Sequence, residues 1–86
     1  MIAFEKIKVG MVLLDIHRHK VGNVAGMTEL GCWDVVIVEL RPDGAMVRWN
    51  GNPVRFWPRH RLEKLYAKKT KALLKQEEAR RARWGH

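Results

Sequence analysis

A single cysteine, Cys32, stands in this chain of 86 residues, so an internal disulfide is excluded, and a cysteine-rich zinc site with it. There is no run of eighteen apolar residues, and the apolar start after Met1 is broken by Glu5, Lys6 and Lys8. That pattern lacks a membrane helix and a secretory leader, and the expectation is a soluble, cytoplasmic protein without membrane contact. Acidic charge is scarce in one half: residues 1–47 hold five Lys or Arg against six Asp or Glu, whereas residues 48–86 hold twelve against three. The net charge of +8 therefore belongs to the C-terminal half. A basic half is a common electrostatic footprint of nucleic-acid contact and also suits an acidic protein partner.

The length leaves room for one small core. Phe4, Ile7 and Val9 lead through Gly10 into a first strand over Met11 to His17. Arg18 to Cys32, punctuated by Gly22, Gly26 and Gly31, has the composition of a long loop. Trp33 to Leu40 is dense in β-branched residues and reads as a second strand. It ends at Arg41-Pro42-Asp43-Gly44, where proline presets φ and glycine is expected to take the left-handed conformation. Ala45 to Trp49 is a third strand, Asn50-Gly51-Asn52-Pro53 a second tight turn, and Val54 to Trp57 a fourth strand stopped by Pro58. The Pro58-Arg59-His60-Arg61 stretch predicts one helical turn, and Leu62 to Tyr66 a short fifth strand with Leu62 and Leu65 inward. From about Ala67 the chain is rich in helix formers and free of proline, which predicts a basic tail helix.

Five short strands in this order, over roughly residues 4 to 66, resemble the Src-homology-3-like small β-barrel of Tudor and KOW modules. The resemblance implies a mainly β fold, a five-stranded SH3-like barrel over residues 1–66 with a C-terminal helical tail over 67–86. Lys20 to Met27 (KVGNVAGM) is loosely similar to the glycine-centred KOW segment. The Trp49-Asn50-Gly51-Asn52-Pro53 segment with the later Leu62-Glu63-Lys64-Leu65 is similar to small phage and prophage proteins, a likeness that implies no activity.

Alternate residues of a strand point to opposite faces. With Leu40 paired to Ala45, and Trp49 paired to Val54 or Asn52, the expected core holds Val36, Val38, Leu40, Val47, Trp49, Val54 and Phe56. A slip by one in the first hairpin would bury Glu39 at several kcal/mol. The expected outer face then carries Trp33, Ile37, Met46, Arg48, Arg55 and Trp57, rings beside guanidinium groups. Rings offer stacking surfaces to unpaired bases while arginines hold phosphates.

The expected function is thus a non-enzymatic accessory protein that binds nucleic acid, RNA or single-stranded DNA before duplex, without a cofactor. Arg48, Arg55, Trp57, Arg59 and Arg61 are the barrel candidates. Lys68, Lys69, Lys71, Arg80, Arg81 and Arg83 are the tail candidates, since clusters of this kind bind chiefly through charge. The alternative is an interaction module, phage-encoded in one version, that docks an acidic protein. Two other constellations are present. Asp15, His17 and His19 alternate along a strand as three potential metal ligands, which Cys32 or His60 would join. Trp33, Trp49, Phe56, Trp57 and Tyr66 are the rings available for a methyl-lysine cage of the Tudor kind. No nucleophile, base and orienting group are spaced as a catalytic set.

Overall fold

The computed structural model describes residues 1–21, 26 and 28–84, the last two by backbone alone. Four antiparallel strands form one open sheet in the order β1 (Val12–Lys20), β2 (Thr28–Arg41), β3 (Gly44–Trp49) and β4 (Arg55–Pro58). They are followed by a helical turn α1 (Arg59–Leu62) and the tail helix α2 (Lys71–Trp84). The fold is mainly β, as expected, but it is not a closed five-stranded barrel. Leu62 to Tyr66 forms no fifth strand: only Tyr66 reaches the sheet, as an isolated bridge to Leu14. Its two hydrogen bonds, Leu14 N–H to Tyr66 O at 2.7 Å and Tyr66 N–H to Leu14 O at 2.9 Å, cover one point of the β1 edge. Leu62 and Leu65 are buried, as expected, but from the helical turn α1 and the turn after it rather than from a strand, where a spacing of three would set them on opposite faces.

The expected long loop is mostly strand. β1 and β2 pair continuously from Val12 with Val36 to Lys20 with Thr28, so strand structure occupies Arg18 to Lys20 and Thr28 to Cys32. Gly31 lies inside a strand rather than at a bend. A Cβ there would run into the Trp33 ring and come within 2.9 Å of His19, so glycine makes room for an indole laid across the backbone. Most of the KOW-like stretch, Gly22–Ala25 and Met27, lies outside the described residues.

Both tight turns form. At the second, Asn50 and Gly51 have φ of 49° and 75° and Asn52 N–H donates to Trp49 O at 2.9 Å, the geometry of a type I′ hairpin turn. At the first, the left-handed expectation for Gly44 fails, because the left-handed glycines described are Gly10, Gly26 and Gly51. Glycine is required at 44 for another reason: a Cβ would strike the backbone carbonyl of Trp57 and the Phe56 ring at 2.8 Å.

The core lies on one side of the sheet and contains Ile7, Leu13, Val35, Ile37, Ala45, Val47, Trp57, Leu62 and Leu65, with Ile2, Phe4, Met11 and Trp49 packed against it. Two extra residues invert the expected faces of β2 and β4. Leu40 does pair with Ala45, but a bulge between Ile37 and Glu39 makes Ile37, not Val38, the partner of Val47. Glu39 stays in solvent while Val35 and Ile37 turn inward, and Val38 is 43% exposed. The bulge thus achieves the inward turn that a rigid slip achieves only by burying Glu39. On β4, one residue separates Trp49 from Val47 but two separate Asn52 from Arg55, and Val47 pairs with Arg55. Pro53 has no N–H to give the ladder, and the additional residue exchanges the inward and outward sides of β4. Trp57 is consequently core at 5% exposure, and Phe56 is outside at 41%.

The tail helix begins at Lys71, later than Ala67. Thr70 caps it, with Leu73 N–H donating to Thr70 Oγ1 at 3.3 Å. It docks on the far end of β2, not over Ile37 and Trp57. Leu30 lies beyond the end of β3, and Gln76 supplies both partners its backbone would otherwise lack: Leu30 N–H donates to Gln76 Oε1 and Gln76 Nε2 to Leu30 O, each at 2.8 Å. Leu73 is buried, and Arg80 pairs with Glu29. The Trp84 side chain lies outside the described residues.

Candidate nucleic-acid interface

Cross-strand partners in an antiparallel ladder share a face. The pair Val36 and Arg48 therefore belongs to the side away from the core, and the pair Val47 and Arg55 to the core side. The expected common face for Arg48, Arg55 and Trp57 does not exist. Arg55 and Trp57 remain together, but on the core side, where they meet Arg61 from α1.

Two adjoining pockets form on that side. One, of about 420 Å³, is lined by Val47, Trp49, Asn52, Pro53, Arg55, Trp57 and Arg61. The other, of about 440 Å³, is lined by Asp15, His17, Trp57, His60, Arg61, Lys64 and Leu65. Trp57 and Arg61 belong to both, so the two read as one groove with a partition. The partition is a cation–π pair: the Arg61 guanidinium carbon lies 3.7 Å from the Trp57 ring centroid. The contact fixes the position of the guanidinium over the ring, and its N–H groups have no carboxylate partner among the described residues.

Arg59, two residues away, is employed elsewhere. It stacks on Phe4 at 4.7 Å and pairs with Glu5 Oε1 at 2.8 Å, which ties α1 to the N-terminal segment. A backbone hydrogen bond, with help from Arg59, holds the Glu5 carboxyl below its usual range. Among the described residues no carboxylate pairs with Arg55, Arg61 or Lys64.

The groove continues along the β1–β2 hairpin as a row of rings. Trp33 stacks on His17 at 4.5 Å and 23°, meets His19 edge-on at 5.4 Å, and stacks on Trp49 at 5.6 Å and 30°. Asp15 anchors the row, accepting Trp49 Nε1–H at 2.9 Å and bonding His17 Nδ1 at 3.0 Å. A carboxylate only accepts, so the shared proton belongs to His17 Nδ1. Asp15 is the one acidic side chain lining the two pockets, and each of its oxygens accepts one hydrogen bond while the carboxylate keeps its negative charge.

Of the tail candidates, Lys69 is paired with Glu77 at 3.0 Å and Arg80 with Glu29, while Lys68, Lys71 and Arg81 are exposed. The Arg83 side chain lies outside the described residues. These groups lie on and before α2, against the far end of β2, and do not line the groove. Among the described residues no three His, Cys, Asp or Glu groups converge to hold a metal. Asp15 and His17 are paired with each other, and burial pushes the Cys32 thiol up. The five rings of the supposed cage do not converge either: Trp57 is core, Phe56 is on the opposite face, and Trp33 stacks with Trp49. Sequence reasoning missed His17, Trp49, Asn52, His60 and Lys64 as groove residues. The expected fifth strand over Leu62 to Tyr66 hid the pairing of His60 and Lys64, which α1 and the turn after it bring to one pocket.

No helix among the described residues is long and apolar enough to cross a membrane. Comparison with protein-family models, curated proteins and solved structures found no match to any of them.

Proposed function

We propose that this chain is a non-enzymatic protein that binds single-stranded nucleic acid, RNA or DNA, in the groove on the core side of the sheet. The observation that carries the reading is the Arg61–Trp57 stack, set between two pockets whose other cations are Arg55 and Lys64. Such a groove offers phosphates three unpaired cations and offers bases the half-buried Trp49 and Trp33 rings. Arg48 and Arg59 drop out of the contact set. Lys68, Lys71 and Arg81 add long-range attraction rather than contact in the groove. The strand order, the helical turn after β4 and the Tyr66 bridge to Leu14 support reading the fold as an opened relative of the SH3-like small barrel.

The test is a fluorescence titration of a labelled single-stranded oligonucleotide at about 50 and about 200 mM salt. The expected affinity falls by roughly 0.7 log units per log unit of salt for each phosphate engaged. No binding at micromolar protein in the lower salt contradicts the proposal. A complex with an acidic protein that survives nuclease supports the interaction-module alternative instead.

A further inference from the structure

We propose that the open edge of β1, from Ile16 to Lys20, takes an extended acidic peptide of a partner protein as an added antiparallel strand. The site is separate from the groove, and the inference does not rest on nucleic-acid binding there. β1 and β4 are the two edges of the sheet. β4 is four residues long, with Pro58 at its end and Pro53 just before it, and proline blunts an edge. β1 is nine residues long and contains no proline. Tyr66 takes both backbone groups of Leu14, so Leu14 faces away from β2. Alternation along the ladder turns Ile16 and Arg18 the same way. Leu30, the partner of Arg18, agrees from the other side, since its N–H and C=O both go to Gln76 and not to β1. Among the described residues the N–H and C=O of Ile16 and Arg18 have no partner. They point outward in line with the Tyr66 bridge, where an added strand satisfies them reciprocally.

The side chains beside this edge set the chemistry of its occupant. On the face away from the core, Ile16, Arg18 and Lys20 follow one another, and Arg18 and Lys20 are exposed with no carboxylate partner among the described residues. The β2 carboxylate on that face, Asp34, sits farther along, opposite Leu14. On the core side Asp15 keeps its negative charge and repels acids placed there. Carboxylates therefore belong at the alternate positions that face outward. Read from its N-terminus, the peptide carries an acid opposite Lys20, any residue, an acid opposite Arg18, any residue, and an apolar residue opposite Ile16. A second copy of β1 fits poorly. Centring the pair on Arg18 sets arginine against arginine, and centring it on His17 sends Lys20 of the second copy to Leu14, whose backbone groups Tyr66 holds.

The experiment titrates the full chain into a fluorescein-labelled threonine peptide, blocked at both ends, with glutamate at its second and fourth positions and isoleucine at its sixth. Replacing either glutamate by glutamine is expected to weaken binding about three- to fivefold, the worth of one opposite-charge cross-strand pair. In the chain, Arg18→Glu is expected to cost about tenfold and to be rescued by a peptide with lysine at the fourth position. Arg48→Glu, on the same face but beside Val36 at the other end of β1, is expected to stay within about twofold. N-methylation of the peptide's fourth residue, whose N–H donates to Arg18 O, is expected to abolish binding, whereas N-methylation of the fifth, whose N–H points away, stays within about threefold. Equal losses from the two N-methyl placements overturn strand addition and reduce the contact to charge attraction. No binding at about 1 mM peptide overturns it as well. A dimer of the chain alone, seen in sedimentation and excluding the peptide, overturns it too, because a second copy then holds the edge.

Discussion

Arg59 and Arg61 illustrate how much residue type leaves open. They are two positions apart in one helical turn, yet one is fastened to Phe4 and Glu5 and the other lies on Trp57 between two pockets. Charge at both was plain in the sequence, while the partners that separate them arrive from distant parts of the chain. The glycines make the same point. Gly31 and Gly44 read as punctuation, but each is glycine because another group occupies the space of a Cβ. Those groups differ in how far they can yield. At Gly44 the obstacle is the Trp57 carbonyl, part of the paired β4 backbone, and Gly44→Ala is expected to destabilise by about 1–3 kcal/mol. At Gly31 it is the outer edge of the Trp33 ring, which can swing aside at the loss of its stacking, about 0.5–1.5 kcal/mol. Urea unfolding of the two variants checks the order, and a costlier Gly31→Ala contradicts it.

Individual elements were legible to different depths. Turn chemistry placed both tight turns, alternation in β3 correctly set Val47 inward and Arg48 outward, and the helical turn after Pro58 formed as its spacing implied. What failed was the propagation of parity from the turns. It assumed unbroken pairing, whereas one additional residue at Val38 and one in Asn52–Val54 each invert everything beyond. No local feature of Val38 marks a bulge; the cost of burying Glu39 against the gain of burying Val35 and Ile37 decides it. The docking of α2 was illegible for a related reason. Its apolar content is small, and besides the buried Leu73 and the Arg80–Glu29 pair the attachment runs through one amide, Gln76, clasping the Leu30 backbone at two points. Gln76→Ala is expected to release about 1–3 kcal/mol of docking energy, because two net hydrogen bonds are lost. Hydrogen exchange at the Leu30 amide then accelerates by about tenfold or more. Unchanged protection at Leu30 contradicts the clasp.

At the scale of the whole molecule, the cation is divided between two places. Arg55, Arg61 and Lys64 face the groove beside the rings, whereas the charges on and just before α2 lie at the far end of β2 and are partly neutralised by Glu29 and Glu77. The sequence made the basic half visible but not this division, which depends on where the sheet faces turn. If the groove is the binding surface, the position of a charge matters more than the total. If tail and surface charge attract the ligand without a site, the total decides.

Arg61→Glu and Arg48→Glu separate these cases, since each changes the net charge equally and both side chains are exposed, on opposite faces. The decisive measurement is the affinity of each for a single-stranded oligonucleotide in the same low-salt buffer. The groove account predicts a loss of about tenfold or more for Arg61→Glu, with Arg48→Glu staying within about threefold of the parent chain. Equal losses in the two variants, or the larger loss at Arg48, contradict it.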